Sequence, residues 1–185
     1  MHADVESALK ILETGGTILY PTDTIWGIGC DATNEEACQK ILKIKQRPED
    51  KSFIVLVDSI QMLEKYTVSF PEVCYDLIDY AVKPLTIIYP NSRGLAPSVV
   101  ANDGSVGIRV TNDPFCIKLI RTLKKPIVST SANISGEKSP VNFTTVPEII
   151  KQSVDIVVPD NGKVQSQPSQ ILKIGADSSI KIIRD

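Results

Sequence analysis

Hydrophobic positions along the chain recur at two spacings, and the changes between them mark out the elements. Val5, Ala8, Leu9 and Leu12 fall on one stripe of a helix predicted over residues 4 to 14, which Gly15-Gly16 stops. TILYP at 17 to 21 is almost wholly apolar and predicts a buried strand. PTDTIWGIGCDA reads as a loop, after which Thr33 and Glu36 form a capping box for a helix through residue 45, with Ala37, Ile41, Leu42 and Ile44 on its apolar face. FIVLV at 53 to 57 predicts the next strand. Two short helices at 59 to 66 and 71 to 81, the second opened by Pro71, lead to a strand at 85 to 89 (LTIIY). Pro90 to Gly104 is a loop, SVGIRV at 105 to 110 a strand, Asp113-Pro114 the start of a helix to 124, and PIVSTSAN at 126 to 133 a strand. A polar loop, a helix at 145 to 152 capped by Thr145 and Glu148, and short strands at 155 to 159, 169 to 174 and 179 to 184 complete the pattern. Single βα units alternate with consecutive strands. That order predicts an α/β (α+β) fold, a twisted open mixed sheet with helices packed on it, rather than a regular doubly wound sheet. No repeat or linker interrupts residues 1 to 185, which read as one domain.

Composition narrows the chemistry. Twenty basic and twenty-two acidic residues give a net charge of -2, so the bulk charge does not attract a polyanion and any nucleic-acid contact has to be local. The single histidine is His2, beside a frayed terminus, which excludes catalysis by a buried histidine base and histidine metal centres. Cys30, Cys38, Cys74 and Cys116 show no C-x-x-C spacing and read as buried free thiols, consistent with a reducing cytoplasm. The chain opens without an apolar signal segment, and FIVLV is too short to span a membrane.

Four places carry candidate chemistry. Lys43, Lys45, Arg47 and Lys51 set four cations within nine residues at a helix end broken by Pro48, either a solvated basic face or cations converging on one anion. In SVGIRV, alternation puts Val106, Ile108 and Val110 on one face and Ser105, Gly107 and Arg109 on the other. An arginine in a covered apolar strand needs an anionic partner, supplied by the protein or by a ligand. In PIVSTSAN, Ile127, Ser129 and Ser131 share a face with Asn133 beyond them, an arrangement suited to orienting a small polar ligand or equally to an edge facing water. Thr22, Asp23 and Thr24 follow a buried strand, with Trp26 as core filler or pocket wall. Residues 27 to 32 match G-x-G-x-x-A, but the following helix starts too late for a dinucleotide-binding turn, and no Walker A sequence occurs.

Taken together, YPTDTIWGIGC, KIKQRPEDKSFIVLV, SVGIRVTNDP and STSANISGEKSP resemble, in order, the YrdC-like family of threonylcarbamoyl-AMP synthases, and PSQILKI and IIRD extend the likeness to Arg184. The resemblance implies an open α/β sheet with a large concave cavity. It also implies an enzyme that condenses L-threonine, bicarbonate and ATP into threonylcarbamoyl-adenylate and pyrophosphate, for a modified adenosine in tRNA. It implies that Lys45 and Arg47, the catalytic pair, and Lys51 meet the ATP phosphates, and that Ser105, Ser131, Asn133, Ser139 and Arg184 hold the nucleotide. Thr24, Arg109, Ser129 and Ser169 then surround threonine, and Mg2+ rides on the phosphates without dedicated protein ligands.

This chain has Val82-Lys83-Pro84-Leu85-Thr86 where many relatives have P-G-P-L-T, Gln170 where many have threonine, and Leu56 where several have histidine. The expectation is a chain without the second C-terminal domain of longer relatives, with tRNA or a downstream transferase as a further partner and no membrane. Two other readings stay open: an RNA-binding, translation-associated module on the same fold, and a paralogue acting on another carbamoyl or acyl substrate.

Overall fold

This computed structural model describes residues 2–48, 52–159, 167–175 and 177–185. Nine strands are described: β1 (Ile18–Pro21), β2 (Trp26–Gly29), β3 (Ile54–Val57), β4 (Leu85–Tyr89), β5 (Val106–Val110), β6 (Ile127–Ser131), β7 (Ile156–Val157), β8 (Gln170–Ile174) and β9 (Ile180–Arg184). They form one mixed sheet in the order β7-β1-β2-β6-β3-β5-β4-β8-β9. The pairs β1/β7, β3/β5 and β4/β8 are parallel and the remaining pairs antiparallel. The expected mixed α/β sheet is therefore what forms.

Strand alternation distributes the apolar residues to two cores. Helices α1 (His2–Glu13) and α5 (Pro114–Leu123) cover one face, where Val5, Ala8, Leu12, Phe115, Leu119 and Ile120 meet Ile18, Tyr20, Leu56 and Ile127. The opposite face takes Leu19, Ile28, Val55, Val57, Ile108 and Val128 against α2 (Glu35–Lys45) and its neighbours, α3 (Ile60–Tyr66), α4 (Val73–Asp79) and α6 (Glu148–Ser153). Adjacent residues such as Leu56 and Val57, or Ile127 and Val128, thus serve different cores, as a two-residue period requires. All four cysteines are buried and unbridged.

Where the structure departs from the sequence pattern, the causes are local. The expected loop at 21 to 32 contains β2, which pairs antiparallel with β1 in the register Tyr20↔Gly27 and Pro21↔Trp26. Two glycines in WGIG weaken the strand signal, yet Gly29 is there for close approach: an added Cβ would lie 2.6 Å from the Val128 carbonyl oxygen and 2.8 Å from Tyr20 Cε1. The glycines of the G-x-G-x-x-A match accordingly lie in β2, and α2 starts only at Glu35. The capping residue of α2 is Asn34 and not Thr33, its side chain accepting from the Ala37 amide at 3.1 Å, while Thr33 bonds Asp31 through its amide and its hydroxyl. Thr145 likewise belongs to a one-turn 3-10 segment, Phe143–Thr145, capped by Asn142, so α6 starts only at Glu148. Trp26 packs against Phe143 with ring centroids 5.0 Å apart and is core filler.

Because both atoms crowding Gly29 belong to strand backbone or a buried ring, Gly29→Ala is expected to destabilise the fold by about 1 to 3 kcal/mol, the usual cost of overpacking. Urea unfolding measures this, and an unchanged midpoint would show that β2 and β6 move apart without cost.

Candidate functional site

The face covered by α1 and α5 is covered only at one end. Beyond Leu56 and Ile127 the same face continues through Ser129 and Ser131 on β6, Ile54 on β3, Gly107 and Arg109 on β5, Thr86 and Ile88 on β4, and Ile171 on β8, which together floor a cavity of about 300 Å³. Register brings these residues side by side: Ile54 is opposite both Ser129 and Gly107, and Ser131 is opposite Gly27. Small residues make the room. A Cβ on Gly107 would sit 3.3 Å from the Thr86 methyl, and one on Gly27 would sit 3.4 Å from Ser129 Oγ.

The charge of the cavity differs from that of the chain. Arg47, Arg109 and Arg184 all line it, alongside hydroxyls of Thr22, Thr24, Ser129, Ser131, Ser139 and Ser169, and no carboxylate is among the described lining residues. A protein with net charge -2 has gathered cations from a helix end and two strands around one concavity. Their fields overlap: burial first, and then Arg109, holds the Arg184 pKa below its ordinary value.

Each arginine is held differently. The turn between β1 and β2 is tied by Thr22, whose Oγ accepts from the Thr24 and Ile25 amides at 3.1 and 3.3 Å and donates to the Ile25 carbonyl at 2.8 Å. Since that uses the only hydroxyl hydrogen of Thr22, the 2.9 Å contact between the two threonine hydroxyls has Thr24 as donor. Thr24 Oγ1 in turn accepts from Arg109 Nη1 at 3.1 Å. Arg109, 4% exposed, also has Nη2 3.2 Å from Asp23 Oδ1. That contact lacks hydrogen-bond geometry, and Oδ1 and Arg109 Nε are without hydrogen-bond partners. The anionic partner that this strand arginine needs is thus supplied by the protein, as charge without a directed bond.

Arg184 turns its fork onto the Ser169 carbonyl, Nε at 2.9 Å and Nη2 at 2.7 Å, and Ser169 Oγ is 2.8 Å from Thr86 Oγ1. Arg47 donates from Nη2 to the Ser52 carbonyl at 2.6 Å and lies over the Phe53 ring, 5.2 Å from its centroid.

Of the residues expected at a site, Thr24, Arg47, Arg109, Ser129, Ser131, Ser139, Ser169 and Arg184 line this cavity. Three do not. Lys45 ends α2 pointing inward, buried, with its ammonium on the Ser131 carbonyl and, at 2.7 Å, on the Asn133 carbonyl. Gln46 then takes a left-handed conformation (φ 49°), and this reversal separates Lys45 from Arg47 although one residue divides them in sequence. Asn133 is buried behind the wall, donating to the Ile134 and Glu137 carbonyls at 2.9 and 2.8 Å, with Oδ1 unpartnered. Ser105 precedes β5 and turns to Asp103, donating to its carboxylate at 2.5 Å, so it does not join the Gly107–Arg109 face. Lys51 lies outside the described residues.

Thr22 and Gly107, which the sequence pattern sets beside Thr24 and on the face of Arg109, also line the cavity, whereas Gly27, Thr86 and Thr130 were missed as lining residues. For Thr86 a signal existed: a hydroxyl in the apolar strand LTIIY, alternating onto the face of Ile88.

Comparison with known proteins assigns the family. The profile of the Sua5/YciO/YrdC family, described as "Telomere recombination", matches residues 10–185. A protein of Psychromonas ingrahamii named threonylcarbamoyl-AMP synthase is 35% identical over 176 residues, covering 92% of each chain. One of Vibrio campbellii with the same name is 32% identical over 170 residues, covering 90% of this chain and 91% of its own. Among solved structures, Sua5 of P. abyssi complexed with L-threonine superposes with a TM-score of 0.83 at 27% identity, over 91% of this chain and 50% of that one. An H234A/Y235A form of P. abyssi Sua5 reaches a TM-score of 0.89 at 26% identity, over 97% and 55%. The chain spans about half the length of those Sua5 chains. With one family's profile matched over nearly all of the sequence, and two relatives above 30% identity across nine tenths of it, the chain belongs to the Sua5/YciO/YrdC family.

Proposed function

We propose that the chain is an L-threonylcarbamoyl-adenylate synthase, a nucleotidyltransferase that condenses L-threonine, bicarbonate and ATP into threonylcarbamoyl-AMP and pyrophosphate for tRNA modification in the cytoplasm. The observation that carries this reading is the cavity itself: three arginines and a ring of hydroxyls, with no lining carboxylate among the described residues, in a chain of acidic balance. Such a lining suits a carboxylate and a polyphosphate together. At about 300 Å³ it is at the lower end of small-molecule sites, sufficient for an amino acid and the phosphate end of a nucleotide.

In the chemistry proposed, the threonine amine and bicarbonate give a carbamate and water. A carbamate oxygen then attacks the α-phosphorus of ATP, the bond to the β-phosphate oxygen breaks, and pyrophosphate leaves with its electron pair. An anionic oxygen needs no strong base at that step, which suits a site with no histidine in its lining. Arg109 takes the threonine carboxylate, with Thr24, Ser129 and Ser169 about the rest of the amino acid. Arg47, Ser131, Ser139 and Arg184 neutralise and orient the phosphates. In this reading magnesium is carried on the phosphates with mostly water ligands. Lys45 and Asn133 support the wall behind Ser131. The described residues contain no helix long and apolar enough to cross a membrane.

Mass detection of threonylcarbamoyl-AMP, with pyrophosphate release measured while threonine or bicarbonate is omitted or serine replaces threonine, tests the reading. Release that ignores threonine overturns it, and equal turnover of serine points to a paralogue with another substrate. Within this scheme Arg47→Ala is expected to raise the ATP requirement about tenfold, the low end for a lost charge-assisted contact, because Arg47 is only half-buried. The variant should remain folded. An unchanged ATP titration would assign Arg47 to packing on Phe53 alone.

A further inference from the structure

Asp23 is a carboxylate beside this cation-lined cavity that does not line it. It lines a second cavity of about 200 Å³, together with Leu63, Ile108 and Val110 and with the polar Lys83 and Asn112. Its Oδ1, sealed from solvent, is 3.2 Å from Arg109 Nη2 without hydrogen-bonding it. The direction of the guanidinium is set by the bond from Nη1 to Thr24. Asp23 therefore contributes charge to Arg109 rather than orientation, and the burial of Arg109 and of the facing Asp23 oxygen leaves that charge less screened than at a surface.

The consequence bears on which ligand fits. A lone buried guanidinium attracts any carboxylate and repels an ammonium held near it. A guanidinium with a carboxylate directly behind it is a dipole, complementary to a ligand that carries both charges. In an α-amino acid the ammonium is one carbon from the carboxylate, so a ligand anchored on Arg109 keeps its amino group within reach of the field of Asp23.

We infer that Asp23 is a specificity-determining residue that makes the cavity prefer a zwitterionic α-amino acid over the same acid without its amino group. The inference rests on the reading of Arg109 as the carboxylate anchor. Asp23 touches no ligand and acts through Arg109.

Calorimetric titration of the full chain with L-threonine, and with 3-hydroxybutanoate, which is threonine with hydrogen in place of the amino group, tests this. The native protein should prefer threonine. Asp23→Asn should shrink the preference by about tenfold, strengthening the hydroxy acid more than threonine, with ATP affinity unchanged. Asp23→Glu should keep most of it. A ratio that stays constant, or a parallel loss for both ligands, overturns the inference and makes Asp23 a structural residue. If Asp23→Asn does not fold, Asp23→Ser gives the same ratio. Arg109→Ala separates the two levels: if threonine and 3-hydroxybutanoate still bind it, the carboxylate anchor has been misplaced and the inference falls with that reading.

Discussion

Arg109→Ala is expected to raise the threonine requirement by roughly a hundredfold, corresponding to about 3 kcal/mol for the loss of a charged hydrogen-bonding partner in a dry site. The guanidinium is buried, its Nε has no partner, and it opens on a cavity lined with hydroxyls, so a carboxylate arriving there finds donors already desolvated. The same substitution strands Asp23. Breaking a buried pair costs about 3 to 5 kcal/mol, and since Asp23 keeps some contact with solvent, about 2 kcal/mol of lost stability is expected. Arg109→Lys divides the two effects. It keeps a cation near Asp23 and most of the stability, but a point charge cannot reproduce the fork, so the threonine requirement should still rise about tenfold. Threonine and ATP titrations with a melting curve for each variant decide the matter. Equal losses for both substrates in a folded protein would remove Arg109 from the amino-acid site.

How far the site was legible depends on whether a residue's position follows from its own strand or from a distant partner. The apolar periods gave nearly every element, and alternation correctly separated Arg109 from Ile108 and grouped Ser129 with Ser131. It failed for Ser105, one residue outside β5, where the chain folds back so that the Ser105 carbonyl accepts from the Ala101 amide. The K-x-R pair was legible as two cations but not as two environments, because the left-handed Gln46 that parts them carries no glycine to signal the turn. The pairing of Asp23 with Arg109 spans 86 positions, the difference between 109 and 23, and follows only from a sheet order in which β2, β6, β3 and β5 are successive neighbours. No local pattern encodes that order. The strand β2 was hidden for the opposite reason: its glycines serve a close approach across the sheet that becomes visible only once Val128 and Tyr20 are in place.

Lys45 supplies the second large effect, and its sign depends on pH. Its ammonium is buried on the carbonyls of Ser131 and Asn133, and so ties the C-terminal end of α2 to the strand end that carries Ser131 into the cavity wall. Burial first, and the nearby Arg47 second, bring its pKa down from 10.5 to about 7. A lysine in the unfolded chain stays protonated up to about pH 10.4, so between the two values the unfolded state binds more protons than the folded one, and stability rises with pH across that window. Below about pH 7 the folded state bears the full cost of holding a desolvated cation, whereas above it a neutral amine still donates to both carbonyls. Lys45→Met removes the donors and the titration together. The buried Asn133 carbonyl loses its donor, while that of Ser131 keeps the Asn133 amide at 2.9 Å, a loss of about 2 kcal/mol, partly offset near pH 6 by the removal of the desolvated charge. The native protein is therefore expected to gain stability from pH 7 to pH 9 by at most about 1.4 kcal/mol per pH unit, while Lys45→Met lacks that rise and its deficit widens with pH. Urea unfolding of both proteins at pH 6, 7.5 and 9 reads this directly. A deficit that stays constant or narrows as pH rises would show that the two carbonyls hold Lys45 charged throughout, and that its ammonium belongs with the cations of the site rather than with the packing behind Ser131.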